Sequence, residues 1–208
     1  MLTKEQKEIK NFLKSRNITE LYHFTRIENL SSILENGILS IQSLKSKNIH
    51  YLYNDDYRYD NKFNANCLSI SFPNYKMFYL ARNNKPGEWC VLTLNSSILY
   101  KKPCLFCIQN AASNFETNRP DTEKQGLDGL KKLFFDNDYR QSVNLPLQFT
   151  TNPQAEVLVL EDIEPSYITS INFKDSDISF NYQSYPNFKF YEYPKLFSYR
   201  YEDRKSVV

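Results

Sequence analysis

Five short runs with strand chemistry set the tightest limit on the fold: LYHFT from Leu21, CLSISF from Cys67, EWCVLTLN from Glu88, AEVLVL from Ala155 and YITSINF from Tyr167. Parallel strands need a crossover of a dozen or more residues, most often a helix. The helical patterns between these runs are too brief for that. Ile9, Phe12 and Leu13 mark an amphipathic helix from about Glu5 to Arg16, and Ile27, Leu30, Ile33 and Leu34 mark a second that Gly37 stops. NYKMFYLARNN and SSILYKK read as a third helix and a helical turn, and EKQGLDGLKKLFFDN reads as helix despite two glycines. From Lys45 to Asn66 the chain turns polar, and YNDDYRYDNKFN fits neither period, which predicts a long functional loop. The tail from Ser176 is expected to mix one helical segment with one or two strands. The fold class is therefore α+β with strands dominating, as one domain over residues 1–208.

Charge narrows the partners. The 26 basic and 24 acidic residues leave +2, far from the dense positive charge of a constitutive duplex-DNA binder. Any nucleic acid has to be gripped locally, and 16 Tyr and 15 Phe supply faces that either pack a core or stack bases. The four cysteines lack the spacing of a disulfide scaffold. Cys104 and Cys107 of CLFC have the spacing of half a zinc site, but with His23 and His50 as the only histidines no second pair follows, so no metal is expected. No apolar leader and no run of about 18 apolar residues is present, and a reducing cytoplasm is the expected setting.

One residue breaks the pattern. From Gln141 to Ala155 there is no ionisable side chain, and Glu156 then stands directly against Val157, Leu158, Val159 and Leu160. A carboxylate at a strand start is either solvated or salt-bridged at an edge, or presented to a ligand. Gln154 shares its face of the strand, so the two form a polar pair at the mouth of an apolar strand. A carboxylate placed so, behind a charge-free loop, can meet a ligand in a partly dry cleft.

These residues carry a resemblance. NPQAEVLV, the early YHFT followed by IENLSSIL, and the middle SISFPNYKMFY together resemble, in the expected order from about Leu21 to Ile171, the DarT group of DNA ADP-ribosyltransferases. The resemblance implies an ADP-ribosyltransferase fold, a split β-sandwich of two small antiparallel sheets with flanking helices and an NAD cleft between them. It implies that Glu156 hydrogen-bonds the ribose 2′-OH, stabilising the cation that develops as nicotinamide leaves, and accepts the proton of the attacking base. It places His23 and Thr25 at the adenosine end and ribose of NAD, and Asn29 near the nucleotide or else at a helix cap. Arg58 is implied as a catalytic residue at the diphosphate, where a guanidinium forks onto two oxygens and orients the nicotinamide ribose, unless Asp55, Asp56 and Asp60 pair with it. Tyr79 is implied near the nicotinamide pocket with core packing as its rival, and Ser69 and Ser71 resemble the Ser-x-Ser strand of other ADP-ribosyltransferases.

The acceptor the resemblance implies is a base in single-stranded DNA, with Thr151, Asn152 and Gln154 of the charge-free loop meeting its edge. SISFPNYKMFY is closer to the guanine-directed than to the thymine-directed subgroup. A toxin–antitoxin setting follows, with an ADP-ribosylglycohydrolase-type antitoxin as partner, NAD as co-substrate and a monomeric enzyme. Two rivals stand beside this reading: an ADP-ribosyltransferase or NAD glycohydrolase acting on protein or RNA, and a non-catalytic nucleic-acid-binding module.

Overall fold

The computed structural model describes residues 1–52, 61–176, 178 and 180–206, with side chains through residue 203. In chain order the strands are β1 (Glu20–Arg26), β2 (Asn66–Ile70), β3 (Trp89–Asn95), β4 (Cys104–Cys107), β5 (Glu156–Val159), β6 (Ile168–Phe173) and β7 (Phe190–Glu192). The helices are α1 (Lys4–Ser15), α2 (Leu30–Asn36), α3 (Ile41–Ser46), α4 (Tyr75–Asn84), α5 (Ile98–Lys101), α6 (Asn114–Asn118), α7 (Gly126–Lys132) and α8 (Asp138–Ser142). Local chemistry fixes several starts. Thr3 and Gln6 close a capping box on α1. Asn74 caps α4 by accepting from the Met77 amide, and Ser113 and Asn137 cap α6 and α8 in the same way.

The strands join in the order β4-β5-β2-β1-β3-β6-β7, antiparallel except for the β6–β7 pair. β2 is shared by two halves. Its first residues, Asn66, Cys67 and Leu68, pair with Val159, Leu158 and Val157 of β5, whereas Ser69 and Ile70 pair with Tyr22 and Leu21 of β1. Beyond that hand-over β1 and β2 diverge. The expected split sandwich thus takes the form of two half-sheets hinged on one strand, with a cleft at the split.

A large core of Leu, Ile and Val lies between the sheet and helices α1, α2 and α7. A second, aromatic cluster of Phe78, Trp89, Phe197 and Phe24 fills the opposite face of β1 and β3, with Phe24 stacked on Phe78 at 4.6 Å. Much of the aromatic content is therefore core. Gly37 ends α2 at φ 87°, and a Cβ there would lie 2.2 Å from the Ile163 carbonyl oxygen, so only glycine lets Ile38 bridge to Ile163.

One strand went unread and two expectations need correction. CLFC, weighed above only as half a zinc site, is β4, a buried strand, and residues three apart on it face opposite sides: Cys104 joins the main core while Cys107 packs with Leu105 on the other. Burial pushes both thiols up to about 12. EKQGLDGLKKLFFDN is not one helix. A 3-10 turn at Asp121–Lys124 gives way to α7, because Gly129 lets the chain pack where a Cβ would lie 2.5 Å from the Lys124 carbonyl carbon. The tail carries β7 and short 3-10 turns, with no α-helix among its described residues.

Candidate active site

The cleft at the split holds about 200 Å³ and is lined by β1, β2, α4 and the turn after β4. On β1, His23 and Thr25 point into it, two apart on one face, while Phe24 turns to the aromatic cluster. Where the β1–β2 ladder stops, the His23 imidazole takes over: Nδ1–H donates to the Cys67 carbonyl at 2.9 Å. That bond fixes the tautomer, leaving Nε2 as an acceptor. Burial lowers the imidazole pKa below 6.5, opposed only in part by the Cys67 bond, so the ring is neutral. Thr25 accepts from the Asn29 amide at 3.1 Å, which leaves its own hydroxyl proton to donate.

Glu156 opens β5 at the cleft wall and is half-buried there. Each carboxylate oxygen is held. Oε1 accepts from Asn74 Nδ2 at 3.2 Å and Oε2 from the Ala111 amide at 2.9 Å. Neither partner was legible in the sequence. Asn74 looked only like a helix start. Ala111 sits in the turn after β4, a strand the sequence reading missed. Behind that turn Glu116, fully buried, accepts from the Ile108 and Gln109 amides at 2.6 and 3.4 Å and pairs with Arg119 at 2.9 Å. Two carboxylates from different elements therefore grip the backbone of one turn.

The other expected site residues scatter. Ser69 lines the cleft with its hydroxyl accepting from the Asn74 amide at 3.0 Å. Ser71 does not share that wall, because the strand ends at Ile70 and Ser71 adopts φ 61°, which breaks the alternation. Asn29 lines the cleft, but its amide is engaged with the chain: it donates to the Leu52 carbonyl at 2.9 Å and accepts from the Leu52 amide at 2.8 Å. It makes no helix-cap bond, so it staples the loop at Leu52 to β1 and α2. Tyr79 is 55% exposed on the far side of α4, whose Met77 and Ala81, one turn apart, face the cleft instead. Arg58 lies outside the described residues.

The charge-free loop differs most from expectation. Thr151 is 3% exposed, and its hydroxyl donates to the Phe135 carbonyl at 2.6 Å, so it faces the interior, not a ligand. Asn152 forms a local turn, accepting from the Gln154 amide at 2.9 Å. Thr151, Asn152 and the half-buried Gln154 all lie off the described cleft wall. The loop lacks charge because guanidiniums from elsewhere hold its carbonyls. Arg16, the C-cap of α1, reaches Leu147 at 3.0 Å, Arg140 of α8 reaches Pro146 and Phe149 at 2.9 Å, and Arg200 reaches Thr150 at 2.7 Å. Arg200 also pairs with Asp203, which accepts from the Tyr139 hydroxyl as well. Burial, then the positive charge of Arg16 and Arg200, lowers the pKa of Arg140.

The result is a cleft that offers an acceptor nitrogen, a hydroxyl donor and a rigidly held carboxylate. A family model described as "ssDNA thymidine ADP-ribosyltransferase, DarT" matches residues 22–187. A comparison with curated proteins found no match. Among solved structures, "Thermosipho africanus DarTG in complex with ADP-ribose" is similar at 21% identity and a TM-score of 0.60, over 86% of this chain and 50% of that one, so the chain spans half the length of that relative. "Thermus sp. 2.9 DarT in complex with carba-NAD+" is similar at 16% identity and a TM-score of 0.57, over 86% and 98% of the two chains. "Thermus sp. 2.9 DarT in complex with ADP-ribosylated ssDNA" follows at 14% and 0.58, over 88% and 97%. At such identities the likeness is one of fold. The family match spans most of the sequence, and on that ground the chain belongs to the DarT family of single-stranded-DNA ADP-ribosyltransferases.

Proposed function

We propose that this chain, as one domain over residues 1–208, transfers ADP-ribose from NAD to a base in single-stranded DNA and releases nicotinamide. The observation that carries the reading is Glu156, held at both oxygens on the wall of a cleft shared with His23 and Thr25 in a DarT family member. In the reaction the bond from ribose C1′ to the nicotinamide nitrogen breaks, and its electron pair leaves with nicotinamide. A base nitrogen bonds to C1′ and sheds its proton. Glu156 stabilises the cation through the 2′-OH and takes that proton. His23 Nε2 and the Thr25 hydroxyl bind the adenosine end and ribose. Arg58 is assigned to the diphosphate on the family resemblance alone.

Such a transfer calls for a carboxylate and oriented donors, not a Lewis acid. Relatives named above supply the ligand classes, ADP-ribose, carba-NAD+ and ADP-ribosylated DNA. The motif SISFPNYKMFY favours guanine as acceptor, and the description of the matched family model favours thymidine as the second reading. Similarity to a DarTG chain supports a toxin–antitoxin pair with an ADP-ribosylglycohydrolase-type antitoxin. Among the described residues no helix is long and apolar enough to cross a membrane, and the four cysteines are free thiols, which fits a cytoplasmic enzyme.

The test is mass spectrometry of single-stranded oligonucleotides that contain only thymine or only guanine beside inert bases, incubated with NAD and the purified chain. An ADP-ribose adduct on one base, with one nicotinamide per adduct, is expected. Label on protein or RNA alone, or nicotinamide release without adduct, would replace this reading with one of its rivals.

A further inference from the structure

Asn74 is 1% exposed, and each polar group it carries has a fixed partner. Its backbone amide donates to Ser69 Oγ at 3.0 Å, and its side-chain oxygen accepts from the Met77 amide at 3.2 Å as the cap of α4. With the oxygen committed to the cap, the side-chain nitrogen has a single orientation, and it donates to Glu156 Oε1 at 3.2 Å. One residue thus ties the end of β2, the start of α4 and the carboxylate together. We infer that Asn74 is a positioning residue that aims Glu156 into the cleft, a role that rests on the reading of Glu156 as the reacting carboxylate.

The geometry separates this role from helix capping. Asn, Asp and Ser are about equally good caps. Only Asn both caps and donates to a carboxylate. Ser at position 74 keeps the cap but is too short to reach Glu156. Asp keeps the cap and sets a second negative charge against the first. Capping alone ranks the variants as equal, whereas positioning ranks Asn above Ser above Asp.

The experiment uses the full chain with NAD and single-stranded DNA. Asn74→Ser is expected to lower kcat about tenfold and Asn74→Asp about a hundredfold, the scale of one hydrogen bond to a charged group lost and then replaced by repulsion, with KM for NAD within about twofold of wild type. Amide hydrogen exchange supplies a readout independent of activity. The Ala111 amide, which donates to the other oxygen of Glu156, should exchange about tenfold faster in both variants, while the Met77 amide, which reports the cap, keeps its protection. Equal kcat in wild type and both variants, or unchanged Ala111 exchange, overturns the inference, as does loss of protection at Met77 together with Ala111. A wild type that transfers nothing, with Ala111 exchange still responding, overturns the proposed function and leaves the positioning role standing.

Discussion

His23 spans the sheet's split: its Nδ1–H reaches the Cys67 carbonyl at 2.9 Å at the point where β1 and β2 cease to pair. One ring therefore closes the backbone gap on one side and offers a lone pair to the cleft on the other. His23→Ala should weaken NAD binding, raising KM about tenfold or more, while saturating NAD restores most of kcat, because a contact to the non-reacting end of the cofactor is uniform binding. Steady-state kinetics over NAD concentration reads this directly, and a lost kcat with unchanged KM would contradict the role.

The same ring sets a pH dependence. Its folded pKa lies below the ordinary 6.5 because burial disfavours the charged form. The unfolded chain therefore binds the proton first as pH falls. The contribution of neutral His23 to stability is complete above about 6.5 and is lost on acidification through the lower folded value. Denaturation midpoints measured from pH 8 to pH 5 should fall below about pH 6.5 in wild type, and His23→Gln should flatten that part of the slope.

Glu156→Gln should reduce transfer by about two to three powers of ten with NAD affinity retained, the scale of one preorganised electrostatic contact removed. Alanine is the less clean substitution. The sequence alone left this carboxylate solvated or salt-bridged at an edge, or presented to a ligand, whereas in the fold Asn74 and the Ala111 amide both donate to it. Glu156→Ala strands two donors and should cost about 1–3 kcal/mol of stability as well as activity. Calorimetry of the two variants beside their turnover separates these effects.

Annealing a complementary strand to the oligonucleotide should suppress modification strongly, since a paired base must be unstacked at a cost of about a few kcal/mol before it can react. Equal labelling of duplex and single strand, read by mass spectrometry, would point to an enzyme that flips bases instead.

Thr151→Val should lower stability by about 1–3 kcal/mol and leave base preference unchanged, because its hydroxyl serves the Phe135 carbonyl in the interior. A changed preference between thymine and guanine oligonucleotides at full stability would return Thr151 to the acceptor site.

What the sequence made legible follows from the range of each interaction. Alternation and apolar runs put β1, β2, β3, β5 and β6 where they are, and the same alternation places His23 and Thr25 on one wall and Glu156 at a strand start. Ser71 and Tyr79 were misplaced by one local fact each, a positive φ at the end of β2 and the rotational phase of α4. The partners of Glu156 were out of reach. Asn74 and Ala111 lie 82 and 45 residues away along the chain, and no periodicity encodes a contact across that distance. The charge-free loop misled in the opposite sense, since its missing charges read as a ligand surface and instead leave room for arginines from three other segments.

Those arginines give the domain a boundary that differs from its family boundary. The span that matches the family model ends short of Arg200 and begins after Arg16, so two of the three cations on the loop before Glu156 come from outside it. A fragment cut to residues 22–187 would keep His23, Asn74, Glu116 and Glu156, yet it would release the Leu147 and Thr150 carbonyls. In effect the segments that carry Arg16 and Arg200 act as a buckle on the loop before Glu156, and trimming either one loosens that loop.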